Sequence, residues 1–391
     1  MAPLTDTRSK AMLPVAGKPV IGHLVSSLVQ AGIKDIVLVA GFHSLQVENY
    51  LRDGRQWGAR ITYCRQSRPL GTGDALLRAA PLAGDTFMVV NGDTLYRVDD
   101  IVKILDLKAP VMGVIRVGDP CEMGVITRQG DRVTGIVEKS SAPPTDIANC
   151  GIYLLNKNIF TAISSLEKSL RGEYEITTAI QALIEQDVHF RFHELSDWLT
   201  FSYPWDLLDG VNWFYQAFRG SVLGNVEEGV ALKGEVSVGD GSIIRSGCYI
   251  SGPVIIGRNC DIGPNCYLRA GTAIGDGCRI GANVEIKNSV IMNGTNVPHL
   301  AYIGDSIIGE NCNLGAGTKV ANLRFDKQNV KSGGRDSGRQ KLGAILGDGV
   351  LTGINSSIDA GTMIGAGSYI GPGVFVKGNI KPGSRLFESC R

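Results

Sequence analysis

The chain has no apolar run long enough to cross a bilayer. Its longest stretches, such as residues 36–40, fall far short of the roughly 20 residues a spanning helix needs. It has no positively charged start followed by an apolar segment, so no secretory signal is expected. It has almost no net charge: Lys and Arg number 39, Asp and Glu 38, which argues against non-specific nucleic-acid binding. Only 20% of residues are charged and 43% are hydrophobic, which excludes a disordered chain. Cysteines are odd in number, nine, and Cys64, Cys121, Cys150 and Cys390 show no metal-ligand spacing. A cytoplasmic protein with reduced thiols and no nucleic-acid or membrane partner is the expectation. At 391 residues the chain is too long for one ordinary core, so two domains are expected.

Glycine marks where they meet. Residues 1–220 hold 19 glycines and residues 221–391 hold 32, while all four tryptophans precede the change. The expected domains are 1–218 and 219–391.

The second domain is periodic. Stepping by six from Leu232 gives Val238, Ile244, Ile250, Ile256, Ile262, Leu268, Ile274, Ile280 and Ile286. The pattern resumes at Ile308, Leu314 and Val320, and again at Leu346, Thr352, Ile358, Ile364, Ile370 and Val376, with only Thr352 not aliphatic. A six-residue period fits neither a helix nor an ordinary strand. It fits short strands and tight turns wound into a parallel β-helix. Four residues after each aliphatic comes a small residue, and Cys248, Cys260, Cys266, Cys278 and Cys312 share that register with Val, Ser and Thr. They are therefore expected to be buried fillers of a narrow prism rather than metal ligands or disulfides. The period breaks at 287–303 and at 321–344. The second break carries Arg324, Lys327, Lys331, Arg335, Arg339 and Lys341 against Asp326 and Asp336, which suits a phosphate-bearing ligand.

Hexapeptide repeats of this kind resemble the left-handed β-helix acyltransferases. The strings Glu285-Ile-Lys287, His299-Leu-Ala-Tyr302-Ile-Gly-Asp305 and Asn311-Cys-Asn313-Leu-Gly-Ala-Gly317-Thr resemble the acetyltransferase half of the bifunctional glucosamine-1-phosphate acetyltransferase / N-acetylglucosamine-1-phosphate uridylyltransferase family. The resemblance implies that His299 is the general base that takes a proton from the sugar amine as it attacks acetyl-CoA. A histidine suits that task, because its pKa lies near working pH. The resemblance also implies that Arg269 and Lys287 hold the sugar phosphate, that Tyr302 and Asn313 bind the sugar, and that Asn322 lies near the amine and thioester. Leu323 stands where the family usually has Tyr.

The first domain alternates apolar strands (36–40, 61–64, 86–90, 111–117) with helical patterns such as 99–107, and is read as α/β with a mainly parallel sheet. Asn91-Gly92-Asp93 follows a strand, where an acidic residue suits a phosphate-bound divalent metal. Lys10-Ala-Met-Leu-Pro14-Val-Ala-Gly-Lys18-Pro19, Leu70-Gly71-Thr72-Gly73-Asp74, Glu138-Lys139, Asn149-Cys-Gly151-Ile-Tyr153 and Glu173-Tyr-Glu-Ile-Thr177 together resemble the sugar-1-phosphate nucleotidyltransferases, in family order. That resemblance implies a Rossmann-like domain in which Gln66, Gly71 and Thr72 read the base. Lys10 neutralises phosphate, Asp93 binds Mg²⁺, Gly124, Glu138 and Asn149 hold the sugar, and Lys139 lies near its phosphate. The family's first strand and glycine-rich loop are expected to be missing, since the chain opens just after where they should stand. In Trp198-Leu-Thr200-Phe-Ser-Tyr-Pro204-Trp-Asp206, Thr200 replaces the Asp that usually supplies a second metal ligand, leaving Asp206 as a substitute.

The expected function is bifunctional: acetyl transfer from acetyl-CoA to glucosamine 1-phosphate, then uridylyl transfer from UTP, by a homotrimer, with the uridylyl activity expected to be impaired in this chain. Two alternatives stay open. One is a glucose-1-phosphate thymidylyl- or uridylyltransferase with a structural β-helix; the other is a non-catalytic scaffold or regulatory subunit.

Overall fold

The computed structural model describes residues 1–387 except 42, 170, 171 and 217; Cys390 and the end of the C-terminal tail lie outside the described residues. Contacts divide the chain into Val20–Thr200 and a second unit made of Met1–Pro19 with Phe201–Arg391. The division falls away from the change in glycine content. Within the second unit, buried Arg8 pairs with Glu310 at 2.8 Å and with Asp348. The hydroxyl of Tyr215, on helix Asp206–Tyr215, donates to the Thr272 carbonyl at 2.8 Å. These contacts tie the first 19 residues and the 201–218 segment to the repeats. Among the described residues no helix is long and apolar enough to cross a membrane.

Val20–Thr200 is α/β. A six-stranded sheet runs in the order Thr86–Val90, Ile147–Asn156, Val111–Arg116, Arg191–Glu194, Arg132–Glu138, Gly124–Gln129. The strands expected from the apolar runs form, and the expected helix appears as Val98–Leu105. The sheet is not mainly parallel, however. Ile147–Asn156 runs antiparallel to both neighbours, and Gly124–Gln129 and Arg132–Glu138 form a hairpin. Two residues connect that hairpin, and so short a turn can only join antiparallel strands. Parallel pairing is kept by Val111–Arg116 with Arg191–Glu194, and by Asp35–Ala40 with Arg60–Arg65, which form a separate two-stranded sheet. Met112, Ile126, Tyr153, Ile180 and Phe190 form the core beneath the large sheet.

The repeats form a parallel β-helix with three faces of nine, eight and eight strands. Each strand pairs in parallel with its counterpart one coil on, as Ile244 with Ile262. The six-step aliphatics from Val238 onward point inward and are buried, as are the small residues four places later. Burying each aliphatic is worth roughly 1.5–3 kcal/mol, and one stacks on the next throughout. The five cysteines of this register are free thiols in the core. Thr352 is tolerated there because its hydroxyl meets that of Thr318 at 2.8 Å and accepts from the Gly315 N–H at 3.0 Å.

The two breaks differ in kind. At 287–303 nothing leaves the coil. Ile274 pairs with Ile291, Val297 with Ile280, and Ile303 with Ile286. The corner after Ile286 is one residue short, so the six-residue step resumes in a new phase at Ile291, Val297 and Ile303. The corner after Ile303 is short again, which leads to Ile308. At 321–344 the chain does leave the coil. It forms a small antiparallel hairpin, Lys331–Ser332 with Arg335–Asp336, before Ile345–Leu346 rejoins the ladder beside Ile307–Ile308.

Candidate functional site

Both short corners lie on one edge of the β-helix, and the strands leading into them carry two of the candidate acetyl-transfer residues, Lys287 and Tyr302. Glu285–Lys287 and Tyr302–Gly304 are parallel neighbours, with Glu285 opposite Tyr302 and Lys287 opposite Gly304. The Lys287 ammonium lies 3.0 Å from Asp305 Oδ2. Asn322 Nδ2 donates to the same oxygen at 2.5 Å and to the Tyr302 hydroxyl at 3.3 Å. Asn288 Nδ2 donates to Asp305 Oδ1 at 2.7 Å. Gly304 lets these groups close in, because a Cβ would stand 2.6 Å from both Asn322 Nδ2 and the Tyr302 hydroxyl. One coil earlier, Arg269 donates to Glu285 at 3.0 Å and lies over the Tyr267 ring.

The structure therefore brings Lys287, Tyr302 and Asn322 together, with Arg269 close by. It does not bring His299 into their cluster. His299 ends strand Asn296–His299 on the adjoining face and is exposed. That corner is separated from the Asp305 corner by the strand Tyr302–Gly304, roughly 10 Å at the usual rise. Asn313 lies on the same face as His299, on the neighbouring strand Asn313–Leu314, and is exposed. Leu300, just after His299, holds φ +53°, a left-handed conformation that neighbouring corners assign to Asn or Gly. Its N–H reaches the Ala282 carbonyl, the His299 carbonyl accepts from Gly317, and Lys319 reaches the Leu300 carbonyl. These bonds hold the His299 corner in place.

The excursion is less free in charge than its composition suggests. Arg324 pairs with Asp326 and Arg339 with Asp209, and Arg335 donates to the Tyr203 hydroxyl at 3.1 Å while lying over its ring. Of the six cations at 321–344, the exposed Lys327, Lys331 and Lys341 have no side-chain partner among the described residues.

In Val20–Thr200, the base-reading candidates share one loop. Gln66 Nε2 donates to the Gly71 carbonyl at 3.0 Å and to buried Asp74 at 2.8 Å. Thr72 Oγ1 accepts from the Ile176 N–H at 3.1 Å. Gly71 holds φ +103° hard against Tyr174, whose N–H and carbonyl bond Leu70 and Gly73, so no side chain fits there. Gly124 faces Glu138 across the hairpin, and the Lys139 N–H returns to the Met123 carbonyl. Glu138 lines a cavity of about 350 Å³ with Ile136, Ser169, Glu175, Thr177, Thr178 and Gln181. Asn149 donates to the Tyr153 hydroxyl at 2.7 Å across a bulge in its strand. Burial pushes that hydroxyl well above the usual tyrosine range, so it stays protonated.

Asp93 follows strand Thr86–Val90, and the Thr94 hydroxyl lies 3.4 Å from its carboxylate and 3.3 Å from the Thr200 hydroxyl. Thr200 thus stands across the ladder from the residue next to Asp93. Lys10 and Asp206 belong to the other unit. Lys10 opens the single turn Lys10–Met12. Asp206 Oδ2 accepts from the N–H groups of Ser202 and Tyr203 at 2.6 and 2.7 Å, closing the turn ahead of its helix. Burial pushes its carboxyl up to about 6 despite those bonds. No group of three or more His, Cys, Asp or Glu suited to a metal occurs among the described residues.

The geometry adds residues that sequence reasoning gave no role: Asp305, Gly304, Tyr153 and Thr94. The signal for the first two was present in Tyr302-Ile-Gly-Asp305, where a glycine and an acid follow a sugar-contact candidate.

The family model described as "Nucleotidyl transferase" matches residues 1–210. One described as "GMPPB C-terminal domain" matches 250–353, and "Bacterial transferase hexapeptide (six repeats)" matches 343–378. The "Bifunctional protein GlmU" of Methanococcus maripaludis is 40% identical over 99% of this chain and 94% of its own length. The "Bifunctional sugar-1-phosphate nucleotidylyltransferase/acetyltransferase" of Sulfurisphaera tokodaii is 39% identical over 98% and 96%. A glucose-1-phosphate thymidylyltransferase of Streptomyces antibioticus is 33% identical over 62% of this chain and 70% of its own. With a nucleotidyltransferase module, a hexapeptide β-helix and near full-length likeness to proteins that combine the two, the chain belongs to the family of bifunctional sugar-1-phosphate nucleotidylyltransferases/acetyltransferases.

Proposed function

We propose that the chain acetylates glucosamine 1-phosphate with acetyl-CoA and then couples the product to UTP, giving UDP-N-acetylglucosamine and pyrophosphate. The observation that carries the first step is the Lys287–Asp305–Asn322–Tyr302 cluster. A β-helix serving only as a prop has no need for a lysine and two amides gathered on one buried carboxylate, with a phenol bonded to one of those amides. In this reading Lys287 and Arg269 meet the sugar phosphate, and Tyr302, Asn313 and Asn322 orient the sugar. His299 takes the proton of the amine as its lone pair attacks the thioester carbonyl, and coenzyme A leaves as the thiol once protonated. His299 and the cluster lie on adjoining faces, which suits a homotrimer in which sites form between copies.

For the second step, phosphoryl chemistry needs positioning and charge neutralisation more than covalent help. Gln66, Gly71 and Thr72 read the base, Gly124, Glu138 and Asn149 hold the sugar, and Lys10 and Lys139 face phosphate. Asp93 would hold Mg²⁺, which when bound supplies positive charge to the phosphates. One carboxylate beside hydroxyls fits a metal that takes its remaining ligands from phosphate and water. The setting is cytoplasmic, where thiols such as the five in the β-helix core stay reduced.

The test is coenzyme A release from acetyl-CoA with glucosamine 1-phosphate, and pyrophosphate release from UTP with the acetylated product. Acetyl transfer absent under all conditions would leave a nucleotidyltransferase with a structural β-helix.

A further inference from the structure

Asp305 has three side-chain donors and only 4% of its own side chain exposed. We infer that Asp305 is a positioning residue for amino-sugar recognition, acting through Lys287 and Asn322; the inference rests on the acetyl-transfer reading above.

The argument begins with the corner. Asn288 and Asp305 occupy equivalent corner places on successive coils, both with left-handed φ, at +44° and +50°. Gly271 stands one coil before, and the Gly343 N–H bonds the Asp305 carbonyl at 2.7 Å from the next. The backbone at this place accepts Gly, Asn or Asp alike. Conformation therefore does not explain a carboxylate at position 305, and its hydrogen bonds do.

Those bonds have a chemical direction. An ionised carboxylate only accepts, so Asn322 must turn its NH₂ toward Asp305. Its carbonyl oxygen is thereby aimed away as an acceptor, the group an amine or ammonium N–H seeks. The same Oδ2 holds the Lys287 ammonium at 3.0 Å. Lys287 is a flexible point charge on a four-carbon stem, and its side chain is 20% exposed here. Pinned in this way, it presents its remaining N–H donors at a set place for a phosphate oxygen. Both short corners contribute: dropping one residue after Ile286 and one after Ile303 keeps Asn288 and Asp305 in register, 17 residues apart, so Asn288 can anchor the second oxygen.

The experiment uses the full chain with the variants Asp305→Asn and Asp305→Gly, both compatible with the left-handed corner, alone and combined with Lys287→Ala. The expected result is a KM for glucosamine 1-phosphate raised by about 10- to 100-fold, the loss that goes with a hydrogen bond to a charged group no longer held in place. The KM for acetyl-CoA and the rate of uridylyl transfer stay unchanged. Added to Lys287→Ala, the Asp305 change costs several-fold less than it does alone, because the two act through one contact. An unchanged amino-sugar KM in both variants, or costs that simply multiply, would overturn the inference while leaving the activity assigned. An unaltered chain unable to acetylate glucosamine 1-phosphate would overturn the underlying reading, and the inference with it.

Discussion

Replacing Gly304 with alanine separates site geometry from fold stability. The backbone there is not left-handed, so alanine meets no conformational penalty, and the stiffer unfolded chain contributes about 0.4–1 kcal/mol in its favour. Against this, the new methyl carbon would stand 2.6 Å from Asn322 Nδ2 and from the Tyr302 hydroxyl. Each must withdraw by roughly 0.8 Å to reach ordinary van der Waals contact. Overpacking of this sort costs about 1–3 kcal/mol, so the net change in stability is at most about 2–3 kcal/mol. Asn322 cannot withdraw freely, because Asp305 holds it at 2.5 Å. The displacement therefore falls on the groups that orient the sugar. A misplacement near 1 Å costs about 10²-fold in rate, or about 2.7 kcal/mol of barrier. Acetyl transfer, followed by coenzyme A release at saturating acetyl-CoA, should fall by about that factor while uridylyl transfer by the same preparation holds. Full acetyl transfer by Gly304→Ala would show that Tyr302 and Asn322 do not touch the sugar.

Three further predictions concern other parts of the molecule. His299→Ala should lower acetyl transfer by about 10²–10⁴-fold with little change in melting temperature, since the side chain is exposed and outside the inward register; unchanged acetylation would remove it as the base. Thr200→Asp places a second carboxylate across the ladder from Thr94 and should lower the Mg²⁺ concentration needed for half-maximal uridylyl transfer by about 10-fold, which a Mg²⁺ titration checks against an unchanged midpoint. Asp206 has a folded pKa of about 6 against an ordinary value of 3.8, so the folded state holds its proton more tightly. Stability should then fall as pH rises from about 4 to about 6, by at most about 3 kcal/mol, and level off above. Asp206→Asn should lack that slope, and parallel melting curves for the two proteins across this range would refute the assignment.

Much of this was legible in the sequence because the β-helix repeats one physical requirement. Every sixth residue must fill the prism, and nothing but a small side chain fits four places later, so Ile, Leu, Val, Cys, Ser and Thr sort themselves by position. The exception, Thr352, became intelligible only with Thr318 beside it in space, 34 residues away in the chain. Strands of the α/β unit were likewise marked by apolar runs. Their directions were not, because an apolar run carries no sign. The two-residue connection between Gln129 and Arg132 dictates antiparallel pairing, because so short a turn cannot join parallel strands.

The candidate acetyl-transfer site shows where periodicity stops informing. Counting by six fails after Ile286, and a failed count looks the same whether one residue is missing or a loop has been inserted. At 287–303 it was one missing residue, and at 321–344 an excursion. The consequences are opposite. The excursion leaves its charged side chains at the surface, and there its arginines found protein partners: Asp326 for Arg324, Asp209 for Arg339 and Tyr203 for Arg335. A shortened corner instead draws its side chains in, and Lys287 and Asn288 meet on the Asp305 carboxylate, which is almost wholly covered. A lysine in a basic loop is a weak indication of a phosphate site, because solvent and nearby acids satisfy it. A lysine held at 20% exposure by a single buried acid, beside an amide and a phenol, has a fixed direction and little water to compete. The weight given to six clustered cations therefore belongs to Lys287 and the corner that holds it.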